Sequence, residues 1–251
     1  MKKYIIRLVI GLIIASVPAT ASAQFISYAP AKKFVEVDVH LFGGTTGIIQ
    51  NYDSKFREIT DVNGDNGTGF GGGVGVVFGL REWLGFGTEL NLLFARNKLN
   101  MAVSNTEAVS MSNIFIKNRY SYVNIPLFMS FRFNVLPGLR WNIDAGIYYA
   151  YGLSGRQKQN IYRSYVNNLG QLMGSTVETS TKYFKNSATF INSYRRSDLG
   201  LHLATAIQFG SHFYIGMRFQ IGMRNVAYTP DGIVNPSVHN LNFTGCVGYK
   251  L

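Results

Sequence analysis

Several stretches of this 251-residue chain carry residue types that do chemistry, and each is tested first against the chemistry it resembles. Asp61-Val62-Asn63-Gly64-Asp65-Asn66-Gly67 places oxygen donors at the first, third and fifth positions of a calcium loop. Asn66 stands where that loop turns on glycine, and Gly72 stands where it needs a chelating glutamate. Asn-Gly is also an ordinary turn former, so the segment reads as a turn rather than a cation site. His40, His202, His212 and His239 show no metal-ligand spacing with one another. No Gly-x-Ser-x-Gly elbow and no His-x-Ser pair occurs to seed a hydrolase. The glycine-rich run Gly69 to Gly79 alternates by two, and no helix follows it to cradle a phosphate, so its glycines should instead let side chains from opposite strands cross inside the fold. Cys246 is the single cysteine and reads as a small packed residue. We therefore expect no catalytic residue, no cofactor and no metal ligand.

One segment differs in kind. Residues 152–197 carry Arg156, Lys158, Arg163, Lys182, Lys185, Arg195 and Arg196 against Glu178 alone. Tyr162, Tyr165, Tyr183, Phe184, Phe190 and Tyr194 are interleaved with them. Basic and aromatic residues mixed in this way can bind nucleic acid. They can equally meet the phosphates of a lipid surface, or steady a rim of the fold.

The elements that position these residues follow from composition and period. The chain is 47% hydrophobic and 14% aromatic but only 15% charged, which excludes a disordered chain. Met1-Lys2-Lys3 and Arg7 precede an apolar run from Leu8 to Val17, then Pro18 and the small-residue pattern Ala21-Ser22-Ala23. That is the layout of a secretory signal peptide over residues 1–23, with the working domain over 24–251. Cleavage would leave 228 residues and, without Lys2, Lys3 and Arg7, lower the net charge from +11 to +8. No later segment is long and apolar enough for a membrane helix.

The hydrophobic period downstream is two. Strict alternation runs through 34–42, 69–80, 84–95, 122–133, 140–151, 198–209, 213–224 and 240–251. Val35, Val37, Val39 and Leu41 oppose Glu36, Asp38 and His40, and the other seven segments repeat the theme. No charge falls on any of the eight apolar faces. A charge at the lipid midplane costs about 2–4 kcal/mol, so a face cleared of charge on every strand fits hydrocarbon contact. The opposite faces are crowded with Gly, Ala, Asn and Ser, which suit a narrow lumen better than a soluble surface. Phe78, Phe94, Phe133, Trp141, Tyr151, Phe209, Phe213 and Tyr249 lie near strand ends, as interfacial girdles do.

Connections alternate in length. They are short after the second, fourth and sixth strands and long at 43–68, 96–121, 152–197 and 225–239. This predicts an all-β fold: an eight-stranded antiparallel transmembrane barrel of the bacterial outer membrane, with short periplasmic turns and long external loops. Its inward charges would be Glu36, Asp38, Glu89, Asp144 and Asp198 against Arg132, Arg140, Arg218, Arg224 and Lys250. Opposite charges in so narrow a space should pair and plug the lumen, and His40 and His202 should hydrogen-bond its carboxylates.

Tyr122-Val123-Asn124-Ile125-Pro126-Leu127 resembles the Tyr-Leu-Glu-Ile-Pro-Leu strand of the PorT-like outer-membrane β-barrel proteins of the Bacteroidota. Asp198-Leu199-Gly200 and the ending Gly248-Tyr249-Lys250-Leu251 are similar too. Asn124 replaces the usual Glu, Ala204 and Ala206 replace glycines, and Leu251 replaces the usual terminal Phe. Pro126 removes a ladder donor, which predicts a bulge there. The resemblance implies a possible accessory role in type IX protein secretion.

The function expected from all of this is non-enzymatic, structural or partner-binding through the external loops. A secretion accessory, a lipid A-modifying enzyme and a narrow pore are the alternatives. Expected partners are outer-membrane lipid and lipopolysaccharide, with other envelope or secretion proteins beside them and no nucleic acid. The oligomeric state stays open.

Overall fold

A strand that is apolar on one side and small and polar on the other is satisfied when its sheet curls into a closed cylinder inside a bilayer. Closure also removes the unpaired edges that lipid would not tolerate. The computed structural model describes residues 34–105, 110–184, 194–228 and 236–251, and residues 1–23, expected as a signal peptide, lie outside them. The described strands are β1 (Phe34–Gln50), β2 (Ile59–Asp65), β3 (Gly67–Arg81), β4 (Leu84–Asn105), β5 (Ser110–Leu136), β6 (Leu139–Val166), β7 (Leu172–Lys182), β8 (Ser197–Phe209), β9 (Phe213–Gly222) and β10 (Val238–Lys250). A single helical turn, α1 (Tyr52–Lys55), follows β1.

Eight of these strands close the ring. Going round, β1 pairs with β3, then β4, β5, β6, β8, β9 and β10, and β10 returns to β1, always antiparallel. The expected outward faces point outward. Val35, Leu41, Phe70, Leu90, Leu127, Leu201, Ile215 and Val247 are exposed, while Asp38, His40, Asn91, Asn124, Arg132 and His202 are buried inside. The short turns fall where expected. Gly138 and Gly210 have φ of 77° and 61° there, a backbone that a side chain disfavours.

The long connections differ from expectation. Segment 96–121 is mostly strand, because β4 runs on to Asn105 and β5 begins at Ser110. Segment 152–197 is largely a second hairpin, built from the outer half of β6 and β7. Within 43–68, β1 continues to Gln50 and β2 pairs with the outer half of β4. Beyond the closed ring β2, β4, β5, β6 and β7 therefore make a five-stranded sheet standing on the barrel wall. The physical reason is that alternation does not stop there but changes sign. Within the wall, β4 turns Phe86, Leu90, Leu92 and Phe94 outward and Glu89 and Asn91 inward. Past it, Arg96 and Lys98 face outward and Leu99 and Met101 are buried. Between Phe94 and Arg96 the outward face passes from one suited to hydrocarbon to one suited to water.

Two further details depart from the sequence reading. Pro126 makes no bulge. It stays in register opposite Tyr148, and the ladder to β4 skips from Leu127 to Asn124 without shifting. A missing N–H deletes a bond on one side but leaves strand spacing unchanged. The bulge lies at Ser121/Tyr122 against β6 instead. Nor do the glycines of β3 make room for lumen side chains from opposite strands to cross. They clear a trough for side chains of adjacent strands, since a Cβ on Gly71 would strike the Phe42 ring and one on Gly75 the Asp38 carboxylate.

Candidate functional site

Glu36, Asp38 and His40 lie one above another on β1 because the strand period returns every second side chain to the lumen. Around them, β4, β5, β6, β9 and β10 send in cations and amides. At the end with the short turns Glu36 gathers three cations: Arg132 Nη1 at 2.6 Å, Lys250 Nζ at 2.6 Å and Arg140 Nη1 at 3.4 Å. Lys250 Nζ also donates to Gln208 Oε1 at 2.7 Å, and the Arg132 guanidinium lies 4.2 Å over the Phe34 ring.

One layer up, Arg218 holds Glu89 with two guanidinium nitrogens, each 2.9 Å from a carboxylate oxygen. Asn91 Nδ2 donates to Glu89 at 2.8 Å, and the Asn91 carbonyl oxygen lies 2.6 Å from His40 Nε2. His40 Nδ1 is 2.6 Å from Asp38, which also accepts the Tyr214 hydroxyl at 2.7 Å. Above this, Asn124 and Gln220 join their amides at 2.9 Å, and Gln220 Nε2 lies 3.0 Å from His202 Nδ1. Asp198 then accepts from Tyr148 at 2.9 Å and from Asn240 at 2.8 Å. Two cavities of about 20 and 10 Å³ lie in the upper lumen, each with room for about one water.

The pairing is not the one-to-one exchange expected from composition. Asp144 and Asp198 make no ion pair among the described residues, and His202 meets an amide rather than a carboxylate. Arg224 is not in the lumen at all. β9 ends at Gly222, and Arg224 is exposed beyond it.

An aromatic cap covers the outer mouth. Tyr183 stacks between Tyr120 and Tyr194, with ring centroids at 4.7 and 4.5 Å, and meets Phe184 edge-on. Tyr52 of α1 reaches the Tyr194 hydroxyl at 3.5 Å, and Val226, Ala227 and Val238 fill the remaining space. Burial pushes the phenols of Tyr52, Tyr183 and Tyr194 above the ordinary tyrosine range. Arg195 and Arg196, expected as part of a free basic loop, brace this cap. They donate to the carbonyls of Ala227 and of Gly152 and Leu153. Lys185 and Phe190 lie outside the described residues.

The five-stranded external sheet has a polar spine inside, where Gln157 donates to Asn118 at 2.9 Å and Asn118 to Asn97 at 2.8 Å. Its outer face carries two rows of cations. Arg96 pairs across strands with Arg119, Arg119 with Arg156, and Arg156 with Lys182. In the next row Lys98 pairs with Lys117, and Lys117 with Lys158. All seven are exposed. The sequence reading listed only the members in 152–197. The others sat in a stretch taken for loop, although Arg96 and Lys98 keep the strand period. The calcium-like stretch is strand as well: Asp61 to Asp65 belong to β2, where Asn63 donates to Asp61 at 2.9 Å. Among the described residues no cluster of three or more His, Cys, Asp or Glu is placed to hold a metal.

The sequence profile of the outer membrane protein beta-barrel domain matches residues 23–228. The chain belongs to that family. This outer membrane beta-barrel domain protein is accordingly a protein of the bacterial outer membrane, with its apolar outer belt in lipid. It is similar to Ail, the attachment invasion locus protein of Yersinia pestis, crystallised with the heparin analogue sucrose octasulfate. Identity is 12%, over 88% of this chain and 100% of that one, with a TM-score of 0.34. It is also similar to OprG of Pseudomonas aeruginosa, at 9% identity over 88% of this chain and 96% of that one, with a TM-score of 0.31. No curated protein matches the sequence.

Proposed function

We propose that this outer-membrane barrel is a non-enzymatic protein whose lumen is closed and whose external sheet is its working surface. The observation that carries the reading is the sign change at Phe94/Arg96 above a lumen filled with side chains engaged with one another. A barrel of eight strands has an interior just wide enough for its own side chains. The layers from Glu36 to Asp198, capped by the Tyr120–Tyr183–Tyr194 stack, occupy that width apart from two water-sized cavities. What stands apart from the wall and meets solvent is the sheet of β2 and the outer halves of β4 to β7. It offers partners a rigid face rather than a mobile loop.

The test has two arms. Purified protein in planar bilayers should show no stepwise conductance, and intact cells should yield cleavage by external trypsin within 156–182. Stable conductance, or protection of that hairpin until the outer membrane is opened, overturns the reading. Unchanged lipid A masses in a deletion strain are expected of a protein without enzymatic activity.

A second reading, an accessory role in type IX protein secretion, is favoured by the likeness of Tyr122–Leu127 to the PorT-like strand. Crosslinking in intact cells would capture secretion components if it holds.

A further inference from the structure

We infer that the outward cation rows of the external sheet bind the phosphate groups of outer-leaflet glycolipid headgroups. This deepens the proposed function and rests on its placement of the sheet outside the membrane.

The first observation is register. Like charges set directly opposite on neighbouring strands repel. This sheet nonetheless aligns Arg96, Arg119, Arg156 and Lys182 in one row and Lys98, Lys117 and Lys158 in the next. Strands lie about 4.8 Å apart, and same-face neighbours along a strand about 7 Å apart. Seven positive charges therefore occupy a patch of about 14 by 7 Å. None makes an ion pair within 4.0 Å among the described residues. The carboxylates nearest in the ladder are at its margins. Asp65 stands across from Lys98 on β2, and Glu178 lies opposite Asn160, one row further out. The arrangement repels itself unless an external anion lies along it.

The second observation is position. Arg96 is the next outward residue after Phe94, which faces lipid. On β6 the outward Tyr151 and Leu153 precede Arg156 across the register shift at Gly152/Ser154. The first cation row thus stands at the level where acyl chains end and headgroups begin. A ligand whose tails pack on the apolar belt would carry its phosphates to this row. Arginine suits the contact because its planar fork meets two phosphate oxygens at once, and three of the four residues in the lower row are arginine. The patch is confined to the β4–β7 side, so the bound glycolipid occupies one sector of the barrel wall.

The test uses the processed full-length protein refolded in detergent micelles and incubated with purified lipopolysaccharide. A parallel sample receives the same glycolipid after chemical removal of its phosphates. Bound glycolipid is counted by native mass spectrometry. Dephosphorylation should lower retention about tenfold, and so should the combined variant Arg96→Gln, Arg119→Gln, Arg156→Gln and Lys182→Gln. A matched variant, Lys55→Gln, Arg57→Gln, Arg81→Gln and Arg224→Gln, removes four exposed cations elsewhere and should stay within about twofold of the parent. Equal retention of the dephosphorylated glycolipid, or no effect of the row variant, overturns the assignment. Full displacement by millimolar inorganic phosphate also overturns it, in favour of a soluble-anion site. If the row variant fails to give a heat-modifiable band, the parent alone decides, because its retention must fall as salt rises. Micelle binding is blind to sidedness and conductance. Failure here leaves the closed barrel standing, and failure of the closed barrel leaves this result standing.

Discussion

Glu89 and Arg218 meet across the lumen from β4 and β9, two strands that are not neighbours in the ring, with both guanidinium contacts at 2.9 Å. The pair ties opposite walls together where no backbone ladder can. Both side chains are under 10% exposed, so neither has water to fall back on. Glu89→Ala should lower unfolding stability by about 3–5 kcal/mol, because it leaves a buried arginine uncompensated. Adding Arg218→Met to that variant should restore much of the loss. Urea titration of heat-modifiable mobility in detergent measures both, and a double variant as weak as the single would refute the coupling.

Leu127 lies on the outer face of β5, 43% exposed and facing lipid. Leu127→Arg should cost about 2–4 kcal/mol at midplane and prevent stable insertion. Phe115→Arg, twelve residues along the strand, 42% exposed and past the sign change, should insert normally. Membrane fractionation of the two variants checks the boundary, and equal insertion would move it.

Arg156 and Lys182 are cross-strand partners, so the outer hairpin between them can be excised without parting their strands. Replacing Gln157–Thr181 by Asn-Gly leaves a two-residue turn of the type that hairpins favour. The barrel should assemble, because Tyr183, Phe184 and Tyr194 are kept to cap the mouth. Removing residues 157–193 whole takes Tyr183 and Phe184 with it. That larger deletion should assemble but unfold at lower urea. Comparing the two separates the cap from the hairpin.

Tyr52, Tyr183 and Tyr194 are buried in the cap, and burial holds their phenols neutral above the ordinary range. The sign follows from proton linkage. At pH above about 10 the unfolded chain releases these protons while the folded chain keeps them, so stability falls as pH rises. Below that pH their contribution is complete. Absorbance at alkaline pH should show a fast-titrating exposed class and a class that ionises only with unfolding. The Tyr183→Phe variant should shrink the second class.

Much of this protein was legible in one dimension because lipid imposes a simple demand on every strand. An outward residue in hydrocarbon cannot be charged, and neighbouring residues alternate sides, so eight faces free of charge declare both the fold and the register of Val35, Leu127 or Ile215. The lumen was legible only as an inventory. Whether Glu36 takes three cations while Asp198 takes a tyrosine and an asparagine depends on the stagger of strands around the ring, which the period along any single strand does not encode. The external sheet was hidden for a related reason. Past Phe94 the outward positions of its strands turn from apolar to charged, so Arg96 and Lys98 looked like the start of a loop. The row from Arg96 through Arg119 and Arg156 to Lys182 gathers four positions spread over 87 residues of chain. Sequence settled which solvent each strand face can bear, because that is a property of single side chains. Tertiary structure decided which charges became neighbours, because that is a property of how strands align.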